Sequence, residues 1–307
     1  MSLVGTITSR QLVGTITETV LVGTITTKAT DAGRLWQRAW SVTVDTIKTD
    51  QLRVEFTVKK TLTANPNTCD LKLYNLSETT RAQIQRKRVP VILVAGYQTT
   101  SEIIFSGTAR TVYHVREGAN WVTHIQCGDG EMTFTDSLST ISQAPGVTVQ
   151  DQLARIIGDM NINTRDAVAA IRSGKLLFAF PRLQQGYTAQ GKTVRLLDAA
   201  LRPHGIHWSI QNMTLQLLQG SAPTSDTAVL LSPASGLIGS PDHGAPQKDG
   251  APTYIKLKSL LQPSIRPGRV LQLRTQAFNG DYVTQKVEHK GDSHGQEWIT
   301  EIECLPR

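Results

Sequence analysis

The chain has 307 residues, of which 39% are apolar and 19% are charged, and its formal net charge is +7. This length favours two or three domains over a single core, and the composition excludes a disordered chain. The positive charge indicates a partner with an acidic surface, either nucleic acid or another protein. The longest apolar run, 89–95, is too short to cross a membrane. No signal pattern opens the sequence, so we expect synthesis and assembly in a cytoplasm.

The chain begins with a tandem repeat, LVGTITSRQ, LVGTITETV and LVGTITTKA. Its period of nine is odd, so equivalent side chains of successive copies would face opposite sides of one continuous strand. Residues 1–33 are predicted to form an apolar arm that adds strands to a neighbouring sheet edge. A duplication that leaves an unattached terminus is the alternative. The candidate partner contacts open each copy: Leu3, Val4, Leu12, Val13, Leu21 and Val22.

Residues 34–133 alternate between apolar and polar side chains, as in QLRVEFTVKK, which is typical of a half-buried antiparallel strand. Further strands are predicted in TCDLKLYNL, VPVILVAGY, SEIIFSGTARTVYHV and WVTHIQCGDG, and Ser77 is predicted to cap a short helix. We expect a first β-domain, a small barrel or sandwich. The densest basic group falls on the short helix, where a solvated face is favoured over a nucleic-acid patch: Arg81, Arg86, Lys87 and Arg88.

Residues 134–228 predict a small α+β unit. It contains a helix capped by Thr148, a strand in KLLFAF, a helix in TVRLLDAALRPHG and a hairpin turned at Gln211–Asn212. Alternation returns in 229–307, which predicts a second β-domain of four strands with a hairpin turn at Asn279–Gly280. The predicted fold class is mainly β, with two antiparallel β-domains that flank the α+β unit.

The stretch GYTAQGKT, residues 186–193, fits the phosphate-binding pattern G-x-x-x-x-G-K-[ST]. A phosphate-binding loop must follow a buried strand directly and lie in a parallel sheet, and KLLFAF is separated from Gly186 by five residues. No later apolar strand ends in the Asp that would hold magnesium. We therefore expect no nucleotide site, and we expect Lys192 and Thr193 to open a helix with Thr193 as its cap.

The stretch GDSHG, residues 291–295, fits the nucleophile pattern G-x-S-x-G of serine hydrolases. That pattern needs a helix after the Ser and an acid before a distant His, whereas here a strand follows and His294 is adjacent to Ser293. A hairpin loop is the better interpretation. The sequence therefore indicates no catalytic residues and argues against an enzyme.

The remaining His and Cys residues give no metal or cofactor site. His289 and His294 could meet across the last hairpin near Glu288, but the spacing is poor for a three-ligand site, and surface histidines are favoured. His204 and His207 are separated by a Gly. The odd number of distant cysteines indicates buried thiols, not disulfides or zinc ligands: Cys69, Cys127 and Cys304.

Several segments resemble those of tail baseplate hub proteins of tailed phages. LYNLSETTRAQI, VPVILVAGY and IIFSGTA resemble the first domain of such hubs, and LLSPASGLIGSP, IRPGRVLQL and FNGDYVTQKVEHKGDSHGQEWITEIEC resemble the closing domain. The resemblance covers about residues 34–307, and the repeat arm departs from it. Hubs of this kind are similar to the ring-forming part of type VI secretion spikes.

The resemblance implies a homotrimer in which each chain contributes two barrels of tail-tube type. The ring would join the six-fold tail tube to the three-fold central spike. The implied partners are the spike protein, the tube or distal tube protein, baseplate wedge proteins and the tape measure protein. Genomic DNA would pass through the lumen without specific binding, so we expect the excess Lys and Arg to lie on outer faces. The implied location is the virion tail, with no membrane insertion.

Two alternatives remain open at this point. One is another tail-tip or tube-like component of a non-contractile tail. The other, from the two literal motif matches, is an NTPase or a hydrolase. Replacement of Lys192 or Ser293 by Ala would abolish activity in an enzyme and would leave a structural protein almost unchanged.

Overall fold

The computed structural model describes residues 35, 37–86, 88–173, 182–220, 222–224, 226–244, 253–276 and 278–307. Strands hold 51% of these residues and helices 18%, so the fold is mainly β, as predicted. None of the described helices is long and apolar enough to span a bilayer.

The early strands follow the alternating segments of the sequence. They are β1 (Arg38–Val44), β2 (Ile47–Thr49), β3 (Val54–Thr61), β4 (Thr68–Tyr74), β5 (Pro90–Tyr97), β6 (Glu102–Glu117) and β7 (Asn120–Gly128). Two short helices accompany them, α1 (Glu78–Ile84) and α2 (Glu131–Thr135). The Ser77 hydroxyl accepts a hydrogen bond from the Thr80 N–H (3.1 Å), so the predicted cap of α1 is confirmed.

The middle of the chain forms an α+β unit. Its elements are β8 (Leu138–Gln143), α3 (Val149–Gly158), α4 (Arg165–Arg172), β9 (Tyr187–Lys192), α5 (Thr193–Leu201), β10 (Ile206–Gln211) and β11 (Thr214–Gln219). Strands β8 and β9 pair antiparallel, as do β10 and β11. Thr148 caps α3 by accepting the Asp151 N–H (3.1 Å), as predicted. The predicted strand KLLFAF lies outside the described residues.

The late strands are β12 (Val229–Leu231), β13 (Leu237–His243), β14 (Ile255–Leu260), β15 (Val270–Arg274), β16 (Asn279–Asp292) and β17 (Trp298–Pro306). Strand β12 pairs parallel with β15, and the other described pairs are antiparallel.

Early and late strands form one sheet in the order β13-β14-β17-β16-β3-β4-β7-β6-β5-β1-β2. Strand β16 joins the two sets, because Lys286–Asp292 pairs with β3 while Asn279–Val283 pairs with β15. Its register against β17 shifts between Thr284 and Lys286, a bulge at the point where β16 changes partner. Among the described strands this path is open at β13 and β2, so their hydrogen bonds close no barrel.

Three hydrophobic clusters fill the interior. The first lies among β1, β3, β4, β5, β6 and β7, and it also contains Leu261 and Trp298 from the late part of the chain. The second lies in the α+β unit, around Leu153, Ile156 and Leu197. The third lies among β12, β14, β15, β16 and β17. The late strands therefore contribute to two cores.

Two predicted turns are placed differently by the structure. Asn279 and Gly280 pair with Arg274 and Leu273 as the first residues of β16, so the predicted hairpin turn at Asn279–Gly280 is wrong. Thr275 closes the real turn, because its hydroxyl accepts the Phe278 N–H (2.8 Å). The β10–β11 turn is centred one residue later than predicted, on Asn212 and Met213, which both have positive φ (52° and 62°).

Candidate functional site

One face of the large sheet carries an extended array of charged side chains, and we call it the charged face. On β3 the side chains of Val54, Phe56 and Val58 point into the core, so Glu55 and Lys59 point the other way. The strand registers place outward residues opposite outward residues from β14 across to β4. The charged face comprises six lysines and six carboxylates: Lys59, Lys72, Lys256, Lys258, Lys286, Lys290, Glu55, Asp70, Glu288, Asp292, Glu301 and Glu303.

Most of the lysines on the charged face lie within ion-pair distance of a carboxylate. The Lys290 ammonium is 2.9 Å from Glu301 and 3.4 Å from Glu288, and its hydrogen bond to Glu301 raises its pKa. The remaining pairs are Lys286–Glu303 (3.2 Å), Lys72–Glu55 (3.5 Å) and Lys59–Glu288 (3.9 Å). Charge is therefore balanced locally on this face, although the chain as a whole is basic.

Two depressions lie on the charged face. One, of about 360 Å³, is lined by residues that include Glu55, Asp70, Lys72 and Asp292. The other, of about 320 Å³, is lined by residues that include Lys258, Glu288 and Glu303. Both are only partly enclosed and are lined mainly by polar and charged residues, so they lack the predominantly apolar lining of a typical small-molecule site.

The GDSHG stretch covers the last two residues of β16 and the first three residues of the loop that leads to β17, in agreement with the hairpin interpretation. The Ser293 hydroxyl lies 2.8 Å from His294 Nδ1 and accepts the Val54 N–H (2.9 Å), which extends the β16–β3 pairing. Burial opposes ionisation of Asp292, but its hydrogen bonds from Arg53 and from the His294 and Gly295 N–H groups hold its pKa below the usual value. Because no imidazole among the described residues donates a hydrogen bond to this carboxylate, the loop lacks the Ser-His-Asp geometry of a serine hydrolase.

At both glycines of GDSHG, neighbouring side chains leave no space for a Cβ atom. A Cβ on Gly291 would collide with the rings of Phe56 and Trp298, the residues opposite it on the two neighbouring strands. A Cβ on Gly295 would collide with the Asp292 side chain. The literal match to the hydrolase pattern therefore arises from aromatic packing and loop closure.

The GYTAQGKT stretch forms strand β9 and the start of α5, with no loop between them. Thr193 is the first residue of α5 and Lys192 occupies the cap position without a side-chain cap bond, so the prediction that Thr193 caps the helix is wrong by one residue. The Thr193 hydroxyl instead bonds the buried Ser139 hydroxyl (2.8 Å). An extended strand paired antiparallel with β8 does not curl its successive N–H groups around one point, as a phosphate-cradling loop must.

We expect Lys192→Ala to change neither the free energy of unfolding nor the binding of MgATP, which we expect to be absent in both proteins. The Lys192 side chain is exposed, and its described bond is a 3.4 Å hydrogen bond to the Thr135 carbonyl, so the change in unfolding free energy should be about 0.5 kcal/mol or less. Calorimetric titration with MgATP should give no binding heat in either protein. ATP binding that disappears in the variant would restore the nucleotide hypothesis.

A buried polar joint fixes the β10–β11 hairpin to the large sheet. The Asp129 carboxylate, at the end of β7, accepts the backbone N–H groups of Asn212 (2.6 Å) and Met213 (2.7 Å) at the hairpin tip. Burial raises the pKa of Asp129 to about 6, although these donors and Lys60 favour the charged form. Lys60 donates to the Asn212 side-chain oxygen (2.6 Å), and burial lowers the Lys60 pKa to about 8.

His289 is buried and does not meet His294, contrary to the possibility raised by the sequence. Its Nδ1 lies 2.9 Å from the Thr300 hydroxyl on β17. Burial, with Lys60 and Arg266 nearby, lowers the His289 pKa to about 3. The expectation of surface histidines is wrong at this position, because strand alternation places His289 on the core side of β16.

We expect His289 to make the protein acid-sensitive. Its folded pKa of about 3 lies below the usual 6.5, so only the unfolded state takes up the proton between these values. Stability from this group is present above pH 6.5 and is lost as pH falls, by about 2 kcal/mol between pH 7 and pH 5. Urea unfolding should show that His289→Gln loses less stability over this interval. The raised pKa of Asp129 makes its contribution to stability grow as pH falls, but this contribution is the same in the native protein and in His289→Gln. Equal changes of stability with pH in the two proteins would contradict the assignment of the acid sensitivity to His289.

The other predicted groups are placed as follows. Cys69, Cys127 and Cys304 are buried free thiols, as predicted. In the described part of the chain, no cluster of His, Cys, Asp or Glu could hold a metal ion.

Helix α1 ends at Ile84, before Arg86 and Arg88, so these two arginines do not lie on the helix face that the sequence predicted. Lys87 and the arm contacts Leu3, Val4, Leu12, Val13, Leu21 and Val22 lie outside the described residues.

No protein-family model and no curated protein matches the sequence, but solved structures match the fold. A tail protein from Neisseria meningitidis superimposes with a TM-score of 0.58 at 11% identity, over 88% of this chain and 97% of that chain. A prophage tail protein from Shewanella oneidensis gives 0.60 at 9% identity, over 88% and 97%.

A component of the Escherichia coli type VI secretion system, itself structurally similar to the T4 bacteriophage tail proteins gp27 and gp5, gives a TM-score of 0.59 at 9% identity. The match covers 87% of this chain and 76% of that chain. The chain therefore shares its fold with phage tail proteins and with a type VI secretion protein.

Proposed function

We propose that this chain is a structural protein of a phage virion and that three copies form a baseplate hub between the six-fold tail tube and the three-fold central spike. The observation that carries the proposal is the sheet that runs without interruption from the late strands into the early strands through β16 and β3. The shared fold with phage tail and type VI secretion proteins supports it.

The proposed hub uses two β-units per chain, and each has its own hydrophobic cluster. We assign them to 34–133 and 229–307 as barrel-like domains of tail-tube type, with 134–228 as the insert, and β17 contributes Trp298 to the first core. Three chains would place six such units around one axis. A closed head-to-tail ring of this kind also covers the sheet edges that β13 and β2 leave open in one chain.

In this proposal the charged face lines the channel and the α+β insert faces neighbouring baseplate proteins. The arm at 1–33 remains a candidate for strand addition to a partner. The chain would act by assembly with spike, tube and wedge proteins and would catalyse no reaction. The geometry of GDSHG and of GYTAQGKT supports this non-enzymatic role. Assembly would take place in the host cytoplasm, and the final location would be the tail of the virion.

The test is a cryo-EM reconstruction of the tail that contains this chain, together with light scattering of the purified protein. Three copies in a ring between tube and spike, with the charged face inward, are the expected result. A stack of rings, or a position at the tip of a non-contractile tail, would favour a tube-like or tail-tip component. A single copy away from the tail axis, or a chain found outside virions, would overturn the proposal.

A further inference from the structure

We propose that Cys69 and Cys127 form a redox-dependent crosslink, a disulfide between β4 and β7 that is absent under reducing conditions and forms under oxidising ones. The two residues lie directly opposite each other in the antiparallel β4–β7 pair. Both are free thiols in this structure, and both belong to the first core. Because they are distant in sequence, only the strand register reveals that they face each other.

The backbone places the two cysteines at the separation that a disulfide requires. The Asp129 N–H bonds the carbonyl of Asn67 (2.9 Å), the residue opposite it at the end of the same strand pair. Hydrogen-bonded positions alternate along an antiparallel pair, so Cys69 and Cys127, two residues further on, also occupy one. Cα atoms at such a position are about 5.5 Å apart, and disulfides most often join Cα atoms about 5.5–6 Å apart.

The two side chains point to the same side of the sheet, into the core. Directly opposite residues of an antiparallel pair share one face, and Cys69 is 0% and Cys127 2% exposed. The hydrogen bond with the Cys127 thiol, together with burial, raises the pKa of the Cys69 thiol. Cys69 is therefore a protonated thiol while the sheet is closed, and in this form it is a poor nucleophile. The crosslink thus forms when the sheet opens, or while the chain folds.

The proposed reaction is thiol–disulfide exchange with a low-molecular-weight disulfide, such as oxidised glutathione. One protein thiolate attacks a sulfur of the reagent and releases half of it as a thiolate. The other cysteine then attacks the mixed disulfide, closes the Cys69–Cys127 bond and releases the second half. The protein pair loses two protons and two electrons, and the reagent gains both and becomes two thiols.

Strand spacing makes this bond easier to reduce than an unstrained disulfide. Opposite Cβ atoms in a sheet are about 5 Å apart, whereas a disulfide holds them about 3.8 Å apart, so the two strands must approach each other and the bond is strained. A reducing cytoplasm therefore keeps the pair as thiols. A virion that leaves the cell meets an oxidising medium, and this use of the crosslink rests on the proposed function. The exchange chemistry does not.

Cys304 serves as an internal reference for the pair. It is also a buried thiol, but it lies in the third hydrophobic cluster, opposite Ile255 and Thr284. No other cysteine faces it across either neighbouring strand. The chain therefore offers one crosslink and one thiol that stays free.

The test is to treat the full-length protein with oxidised glutathione in a low, non-denaturing concentration of urea, which promotes opening of the sheet. Remaining thiols are then alkylated with N-ethylmaleimide under denaturing conditions, and intact mass spectrometry counts the adducts. The reduced protein should carry three adducts, because the chain has three cysteines. The oxidised protein should carry a single adduct, which peptide mapping places on Cys304, and its Cys69 and Cys127 peptides should be joined. Dithiothreitol should restore all the adducts.

The crosslink should also raise the urea midpoint of unfolding by about 1 M, because it restricts the segment between the two cysteines in the unfolded chain. Cys127→Ala and Cys69→Ala should each abolish the crosslink and the shift. Cys304→Ala is the matched control, because it removes another buried thiol and should leave both the crosslink and the shift unchanged.

A full set of adducts after oxidation, or a stable mixed disulfide with glutathione, would overturn the proposal. A disulfide that includes Cys304 would do the same. A crosslinked protein that unfolds at no higher urea concentration than the reduced protein would show that the bond does not fit the native sheet. All these measurements use the purified chain, so a cryo-EM reconstruction that rejects the hub would leave them unaffected.

Discussion

Trp298→Ala is expected to lower the free energy of unfolding by about 3–5 kcal/mol, the usual loss when a buried Trp is truncated. The residue lies on β17, near the end of the chain, yet its ring packs edge-on against Phe56 (5.4 Å between centroids) and Trp40 (6.4 Å) in the first core. Its indole N–H also donates to the Gly96 carbonyl (3.2 Å). Guanidinium unfolding followed by circular dichroism measures the loss.

Trp121→Ala is the matched control for this experiment. Trp121 is 39% exposed and its ring packs against the Arg81 guanidinium (4.3 Å) on the outside of the sheet, so its truncation should cost about 1 kcal/mol. Similar losses in the two variants would mean that the first core does not depend on the last strand.

Asp129→Ala is expected to lower the free energy of unfolding by about 3 kcal/mol. It leaves the Asn212 and Met213 N–H groups without their acceptor, and each buried donor without a partner costs about 1–3 kcal/mol. The buried Lys60 also loses a carboxylate whose charge favours its protonated form. Hydrogen exchange should show faster exchange in the β10–β11 hairpin, while β3, β4 and β7 remain protected.

Asp129→Asn keeps the size and shape of the side chain but replaces one of its two acceptor oxygens by an NH2 group. Its single amide oxygen can still accept one of the two N–H groups, so the loss of stability should be about half that of the Ala variant. Uniform acceleration of exchange across the whole sheet would show that Asp129 supports the large sheet itself and does not act as a joint for the hairpin.

The parts of the fold that the sequence predicted are local ones. Alternation identified β3, and the Ser77 and Thr148 caps were correct because a cap depends on residues within one turn of the helix. The turn at Asn279–Gly280 was wrong because Thr275 supplies the turn a few residues earlier through its own side chain. The interpretation of GDSHG as part of a hairpin loop and of Lys192–Thr193 as the start of a helix relied on flanking elements, and the structure shows both the hairpin and the helix.

The charged face could not be predicted from the sequence, because alternation defines the two sides of a strand and not its neighbours. The alternation in QLRVEFTVKK places Glu55 and Lys59 on the outward side of β3, but nothing near them in sequence indicates Asp292 or Glu288 as partners. The buried Asp129 was missed for a similar reason. The N–H groups that bond its carboxylate belong to a hairpin in the α+β unit. The residues next to Asp129 in sequence indicate only the end of a strand.

The sharing of β16 and β17 has a consequence for how the protein is made. Arg38 bonds the Asp292 carbonyl across 254 residues of sequence, and β3 lacks one of its two neighbours until β16 has been synthesised. While the ribosome translates the α+β insert, the early strands therefore present an unpaired edge and a core without Trp298. Such an intermediate is prone to aggregation, and a message truncated before residue 286 should yield insoluble protein and no folded early half.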